Sequence, residues 1–162
     1  MNPISLKNWE KNIKVNRLKN RDSIKVISKI WNNVNTKKEL EKQFESIIKD
    51  LEIDYLDICL IHWPFCWKNN VIFPTKSSDI NSNIDERITI VWESLLEIKR
   101  KGFIKEIGVS NFGKKFLKLI KEKFHQYPAY NQIEVHPYNS QNELRNFCKV
   151  NSINVIGYSP LG

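Results

Sequence analysis

The segment that most constrains the fold is the apolar run from Ile58 to Ile61, which leads directly into His62 and Trp63. A strand with apolar residues on both faces is typical of a parallel sheet whose two faces are both covered. In such sheets, ligands bind at the carboxyl ends of the strands. His62 is therefore either a site residue or a histidine of the core, and the rest of the chain has to decide between them.

Strand and helix patterns alternate along the rest of the chain. The sequence predicts strands at 24–31, 56–62, 104–111, 129–135 and 153–162, with helical spacing of apolar residues between them. Thr36 with Glu39, and Ser140 with Glu143, have the spacing of capping boxes that begin two of the helices. Alternation of this kind predicts an α/β fold with five parallel strands and right-handed crossovers.

Each predicted strand ends in a polar or aromatic residue that a core does not need. These residues are Lys29, His62, Ser110 with Asn111, Gln132 with Glu134, and Tyr158 with Ser159. Because the carboxyl ends of parallel strands meet at one edge, five such strand ends together indicate the mouth of a parallel barrel. The chain contains no G-x-G-x-x-G motif, which disfavours the nucleotide-binding folds that depend on it.

Charge and hydropathy disfavour two classes of partner. The formal net charge is +8, but the lysines are scattered and interleaved with glutamates. Nucleic-acid binding requires basic residues that cluster on one face, so we expect no nucleic-acid partner. No apolar run approaches the roughly 20 residues that a membrane-spanning helix needs, so we expect no membrane partner either.

The cysteines indicate neither disulfides nor a metal. Three cysteines form no even framework, which is typical of free thiols in a reducing compartment, and we expect a cytoplasmic protein. The spacing of Cys59, His62 and Cys66 resembles that of a zinc site. However, the alternation of a strand directs Cys59 and His62 to opposite faces. We therefore expect no metal.

Two segments lack a strong pattern. Residues 1–20 are polar and rich in lysine and asparagine, and they are predicted to form an N-terminal arm before a domain at 21–162. Residues 64–84 contain Pro, Asn and Ser without a periodicity of their own. A loop of this length is usually functional or disordered.

Four motifs at the strand ends carry a resemblance to a known family. They are IHWP at 61–64, IGVSNF at 107–112, NQIEVHP at 131–137 and YSPLG at 158–162, and SKIW at 28–31 extends the match. In order and separation these motifs resemble the aldo-keto reductases, and the resemblance covers about residues 21–162. It implies a (β/α)8 TIM barrel that transfers hydride from NADPH to a small-molecule aldehyde or ketone.

The resemblance also implies roles for individual residues. The residue matching Lys29 lies beside a catalytic tyrosine, whose pKa its positive charge lowers. The residue matching His62 hydrogen-bonds the substrate carbonyl, and Trp63 matches an indole of the substrate pocket. The remaining matches concern the cofactor: Ser110, Asn111 and Gln132 at the nicotinamide carboxamide, Tyr158 stacked on the nicotinamide ring, and Ser159 and Leu161 near the pyrophosphate.

The chain also departs from the family pattern. The family's catalytic tyrosine and its aspartate partner precede the strand of Lys29, and residues that bind the cofactor's adenosine phosphate follow YSPLG. We therefore expect a partial barrel with strands three to seven of eight, an incomplete chain, and no activity from these 162 residues alone. The alternative is a non-catalytic barrel remnant that acts through a protein partner. The substrate and the oligomeric state stay open.

Overall fold

The computed structural model describes residues 21–69 and 71–162 of the chain, so the predicted arm at 1–20 lies outside the described residues. The main sheet contains five strands, which are β1 (Ile27–Ile30), β2 (Leu56–Ile61), β5 (Ile104–Ser110), β6 (Tyr130–Glu134) and β7 (Asn154–Tyr158); the short strands β3 (Cys66–Trp67) and β4 (Ile80–Asn81) lie outside it. The strand order is β1-β2-β5-β6-β7, and every neighbouring pair is parallel. The prediction of five parallel strands is confirmed.

Helices follow each of the first four sheet strands, as predicted from the alternation. They are α1 (Lys37–Leu51), α2 (Ile84–Arg100), α3 (Lys114–Phe124) and α4 (Asn142–Val150). Short 3-10 helices lie at Arg21–Ser23 and Ser77–Asp79. None of the helices within the described residues is both long and apolar enough to cross a membrane.

The strand β2 is buried along its whole length. Cys59 and Ile61 pack in the core between the sheet and the helices, together with Trp92 of α2 and Leu117 of α3. The alternate residues of β2, such as Leu60, point to the opposite, inner face of the sheet and are also buried. Burial on both faces explains why this strand is uninterrupted by polar residues.

The register lines up one row of residues across the inner face. Lys29 pairs with Leu60, Leu60 with Gly108, Gly108 with Tyr130, and Tyr130 with Asn154. At Gly108 an added Cβ would lie 2.6 Å from the Tyr130 carbonyl oxygen and 2.8 Å from Cδ2 of Leu60. Glycine is therefore required at this position of β5, because Leu60 and Tyr130 of the neighbouring strands occupy the space that a Cβ atom would need.

One of the two predicted capping boxes is present. At α1 the Thr36 side chain accepts from the backbone N–H of Glu39, and the Glu39 side chain accepts from the backbone N–H of Thr36. The prediction at Ser140 is wrong, since α4 begins one residue later with Gln141 as its N-cap, at φ 49° and without a side-chain cap. Gln141 is held elsewhere, because its side-chain amide donates to the Glu134 carbonyl at 3.4 Å.

The segment at 64–84 has more regular structure than the sequence predicts. Its strands β3 (Cys66–Trp67) and β4 (Ile80–Asn81) form a small antiparallel sheet. Two side chains that follow β1 are hydrogen-bonded to this segment: Asn32 donates to the Phe65 carbonyl at 2.8 Å, and the Trp31 indole donates to the Ile72 carbonyl at 2.9 Å. Because these contacts join residues far apart in the sequence, no local sequence pattern predicts them.

Candidate active site

The carboxyl ends of the five parallel strands carry the rim residues, which are Lys29, His62, Asn111, Gln132 and Tyr158. Side-chain hydrogen bonds connect three of these strand ends. The Tyr158 hydroxyl donates to Oδ1 of Asn111 at 2.8 Å, and Nδ2 of Asn111 donates to the His62 carbonyl at 3.0 Å. Residues from β2, β5 and β7 are thereby joined across the sheet.

The turn after β5 directs the Asn111 amide along the rim. Asn111 has φ 63°, a left-handed conformation that asparagine tolerates better than most residues. Its backbone N–H donates to the Gln132 carbonyl at 2.8 Å, and the Ser110 hydroxyl donates to the same oxygen at 2.9 Å. The amide of Asn111 also donates to Oγ of Ser110 at 3.1 Å. This arrangement fixes both side chains.

The imidazole of His62 lies among aromatic rings. Trp31 meets it edge-on with ring centroids 4.6 Å apart, and Trp63 stacks on it at 6.5 Å. Burial, with a smaller contribution from the positive charge of Lys29, lowers the pKa of His62 to about 4. The ring is therefore neutral near pH 7, with one nitrogen that donates and one that accepts. Its Nδ1 is buried and has no hydrogen-bond partner in the described part of the chain.

Lys29 lies on the inner face of β1 beside Leu60 of β2. Burial lowers the pKa of its ammonium. Within residues 21–69 and 71–162 no carboxylate forms an ion pair with it, and no tyrosine hydroxyl forms a hydrogen bond with it. Lys29 therefore presents a half-buried positive charge next to the His62 ring.

Within the described residues, no tyrosine other than Tyr158 is hydrogen-bonded to a rim residue. Tyr55 precedes β2 and lies between two cations, with Arg21 at 4.3 Å and Lys105 at 4.2 Å from its ring centroid. Tyr127 packs against Phe147, and Tyr130 begins its strand. Tyr138 is 94% exposed. Nothing in the described residues places a phenol beside Lys29.

The ring of Tyr158 borders a cleft of about 320 Å³ that Trp63, Asn111, Phe112 and Gln141 also line. Burial, together with the charge of Glu134, raises the pKa of the Tyr158 phenol. The hydroxyl therefore stays protonated and can keep donating to Asn111. The cleft is lined by the predicted substrate-pocket residue Trp63 and by two of the predicted cofactor residues, Asn111 and Tyr158.

Two predicted cofactor residues lie outside this hydrogen-bonded group. Ser159 leaves β7 with φ 47°, and its carbonyl accepts from the backbone N–H of Gly162 at 3.0 Å. Leu161 is 93% exposed. No hydrogen bond in the described residues joins either of them to the rim residues. Their assignment to the pyrophosphate stays a prediction.

The cysteine–histidine spacing does not form a cluster. Cys59 packs in the core on the helix side of β2, whereas His62 lies among the tryptophans at the strand end. Among the residues that the structure describes, no group of three or more His, Cys, Asp or Glu side chains is placed to hold a metal ion.

Sequence reasoning missed Trp31 and Arg87. Trp31 forms one wall of the His62 ring, and the signal for it was its position directly after β1. Arg87 is buried on α2 with the Trp31 and Trp63 carbonyls among its acceptors. The signal for Arg87 was a single charged residue on the apolar face of its helix, next to Ile88.

Comparisons with known proteins agree with this architecture. A family model described as "Aldo/keto reductase family" matches residues 6–162. Aldo-keto reductase family 1 member A1 of Xenopus tropicalis is 35% identical over 148 residues, which cover 88% of this chain and 44% of that protein. A crystal structure of an aldo/keto reductase from Brucella melitensis matches with a TM-score of 0.79 and 30% identity, covering 97% of this chain and 54% of its own.

A Bombyx mori aldo-keto reductase in complex with NADP also matches, with a TM-score of 0.79 and 27% identity over 96% of this chain and 47% of its own. The chain thus spans about half the length of the relatives that it matches.

Proposed function

The chain belongs to the aldo/keto reductase family, and from this premise we propose that it carries part of the active site of an NADPH-dependent reductase of aldehydes or ketones. The observation that carries the proposal is the hydrogen-bonded rim. Tyr158, Asn111 and His62 come from three separate strands and are joined by bonds of 2.8 and 3.0 Å. A core would not need such a chain of polar groups at the strand ends.

The rim residues fit a nicotinamide, and bound NADPH would supply the hydride. The carboxamide of that ring needs both donors and acceptors. The Gln132 side-chain amide forms no hydrogen bond with the described residues, and Oδ1 of Asn111 keeps a second lone pair. The Tyr158 ring, held by its hydroxyl, offers a flat aromatic face. We assign Ser110 to the same group, and Ser159 and Leu161 to the pyrophosphate.

His62 and Lys29 have different roles at the substrate end. With a pKa near 4, the neutral His62 ring can donate one hydrogen bond to a substrate carbonyl and orient it against Trp63. A neutral imidazole is a weak proton donor, so His62 does not replace a general acid. By favouring the ionised form, the charge of Lys29 would lower the pKa of a neighbouring phenol and make the protonated phenol a stronger acid. In the family, that phenol gives its proton to the carbonyl oxygen.

We therefore propose that these 162 residues alone do not reduce carbonyls. A general acid contributes on the order of a hundred- to ten-thousandfold in rate, and no tyrosine of the chain occupies that position. A reducing compartment, such as the cytoplasm, is supported by the three cysteines, which are free and buried.

A second candidate function is a non-catalytic one that operates through a protein partner. In the described residues β1 and β7 are the two edges of the sheet. Ile27 on β1 is 37% exposed. Edge strands present unpaired backbone groups to which another chain can add a strand. If this alternative is correct, the chain binds a protein partner through an edge strand and catalyses no reaction.

The test replaces the matching segment of the Xenopus tropicalis relative with residues 21–162 and follows NADPH consumption with a reactive aromatic aldehyde. We expect turnover from the hybrid, a strong loss of turnover in its His62→Ala variant, and no change in the surface control Tyr138→Ala. The 162-residue chain assayed alone should show none. Turnover by the chain alone that disappears in His62→Ala would contradict the proposed inactivity, and a folded hybrid that neither binds NADPH nor turns over would favour the partner-binding alternative.

A further inference from the structure

Arg87 lies in the first turns of α2 and is 2% exposed. Its guanidinium donates three hydrogen bonds, all to backbone carbonyls: Nε to Val34 at 3.1 Å, Nη1 to Trp63 at 3.1 Å and Nη2 to Trp31 at 3.0 Å. No carboxylate is among these partners. Burial lowers its pKa to about 10, so the side chain stays a cation near neutral pH.

These carbonyls belong to the two segments that leave the sheet after β1 and β2. The two strands stop pairing at Ile30 and Ile61, although the His62 backbone N–H still reaches the Ile30 carbonyl at 3.1 Å. Beyond that point the guanidinium spans both segments. It therefore continues the connection between β1 and β2 where the sheet ends.

Two of the three acceptors are carbonyls of Trp31 and Trp63, whose rings lie next to the His62 imidazole. Trp31 lies edge-on to the imidazole at 4.6 Å and Trp63 stacks on it at 6.5 Å. The planar fork of a guanidinium has five N–H groups in fixed directions, so one side chain can hold three carbonyls at set positions. An ammonium on a lysine stem has no such fixed pattern.

The position is costly for stability alone. A buried cation pays a large desolvation penalty, which an apolar residue of similar volume would avoid. We propose that Arg87 is a positioning residue of the rim, which ties the segments after β1 and β2 together through Trp31, Val34 and Trp63 and so holds the two indoles against the His62 imidazole. The catalytic consequence rests on the proposed function, whereas the positioning itself can be measured without turnover.

The first experiment uses the complete 162-residue chain and the ring resonances of its three histidines in NMR. In the wild type, His62 should titrate with a pKa of about 4. In Arg87→Met the indoles are released and water reaches the ring, so we expect the His62 pKa to rise by at least about one unit toward its unperturbed value of about 6.5. His125 and His136 serve as internal references. Arg100→Met, an exposed position on the same helix, is the matched control.

The Arg87→Lys variant separates charge from geometry. It keeps a cation but loses the fixed fork, so its His62 pKa should move in the same direction as in Arg87→Met. A wild-type His62 pKa in Arg87→Lys would overturn the proposal, since charge alone would then suffice. A wild-type value in Arg87→Met, with only a lower thermal midpoint, would show that Arg87 merely stabilises the fold.

If the Arg87 variants do not fold, the His62 pKa is measured in two variants of the indoles instead. Trp31→Leu and Trp63→Leu remove the indoles and leave the backbone carbonyls in place. Each should raise the His62 pKa. An unchanged His62 pKa in both variants would overturn the proposal, because the Arg87 hydrogen bonds to Trp31 and Trp63 are its connection to the surroundings of His62.

The second experiment measures the catalytic consequence in the hybrid reductase. Arg87→Met should lower kcat for the aldehyde by about ten- to a hundredfold, the range expected when a reacting group is displaced by about 1 Å. The Kd for NADPH should stay within about twofold, because Asn111, Gln132 and Tyr158 lie on other strands. An unchanged kcat refutes the positioning role in catalysis. A wild-type hybrid without turnover refutes the proposed function instead, and the NMR result still decides the role of Arg87.

Discussion

Replacing Gly108 with alanine should destabilise the chain through one added methyl group. The new Cβ would lie 2.6 Å from the Tyr130 carbonyl oxygen, 2.8 Å from Cδ2 of Leu60 and 2.9 Å from Cβ of Tyr130. All three separations are far shorter than van der Waals contact. The Leu60 side chain is fully buried, and the Tyr130 oxygen belongs to the backbone of the neighbouring strand. The clash can therefore be relieved only by moving β5 and β6 apart.

Overpacking of a well-packed region costs about 1–3 kcal/mol, and we expect the middle to upper part of that range because two of the three clashing atoms belong to Tyr130. For a chain of this size, about 2 kcal/mol corresponds to a fall of roughly 4–8 °C in the thermal midpoint. With a urea m-value of about 2 kcal/mol/M, the unfolding midpoint should fall by about 1 M.

The assay is equilibrium urea unfolding, followed by tryptophan fluorescence and by circular dichroism. Gly157→Ala is the matched control, because its Cβ would meet only Cβ of Val135, at an ordinary 3.7 Å. We expect the control to stay within about 0.5 kcal/mol of the wild type. Equal stability of Gly108→Ala and the wild type, or an equal loss in both variants, would refute the close approach of Leu60 and Tyr130 over β5.

Four further predictions concern single side chains. Thr36→Ala should lower the free energy of unfolding by about 1 kcal/mol through loss of the cap on α1, and Thr36→Ser by less; equal effects in urea unfolding would contradict the capping role. Lys29→Met should raise the His62 pKa by removing a like charge, which NMR titration checks. In the unfolded chain His62 takes up a proton near pH 6.5, whereas in the folded chain it does so only near pH 4. As the pH is lowered from 6.5 to 4, the free energy of unfolding of the wild type should therefore fall relative to that of His62→Gln; a difference between the two proteins that does not change with pH would contradict the low pKa. Tyr158→Phe removes the 2.8 Å bond to Asn111 and should weaken NADPH binding to the hybrid by about fivefold, about 1 kcal/mol, so an unchanged Kd in fluorescence titration would refute that role.

The sequence alone determined the order and type of the main elements. Strands have a period of 2 and helices a period of 3.6, so the apolar positions around Ile58 and Ile88 distinguish the two locally. The set of strand-end residues also followed from the sequence, because strands that run parallel end at the same edge. The catalytic and cofactor roles that the family resemblance implies for Lys29, His62 and the others stay predictions.

Strand boundaries were less accurate, since pairing partners decide them. The first strand was expected at 24–31 but is confined to Ile27–Ile30, because the Val26 carbonyl accepts from both Asp57 and Ile58 and the regular ladder starts after it. The last strand stops at Tyr158 because Ser159 turns to a φ of 47°. In both cases the residue type was compatible with a longer strand.

Tertiary structure alone decided the environment of the rim. The small sheet within 64–84 is hydrogen-bonded to the segment after β1. The N-cap of α4 is Gln141 and not the predicted Ser140, and the Gln141 side-chain amide donates to the Glu134 carbonyl at the end of β6. The three acceptors of Arg87 lie far from it in sequence. The low pKa of His62 arises from burial and from the nearby charge of Lys29. Burial and charge proximity depend on which segments meet in space, and no local pattern of residues encodes them.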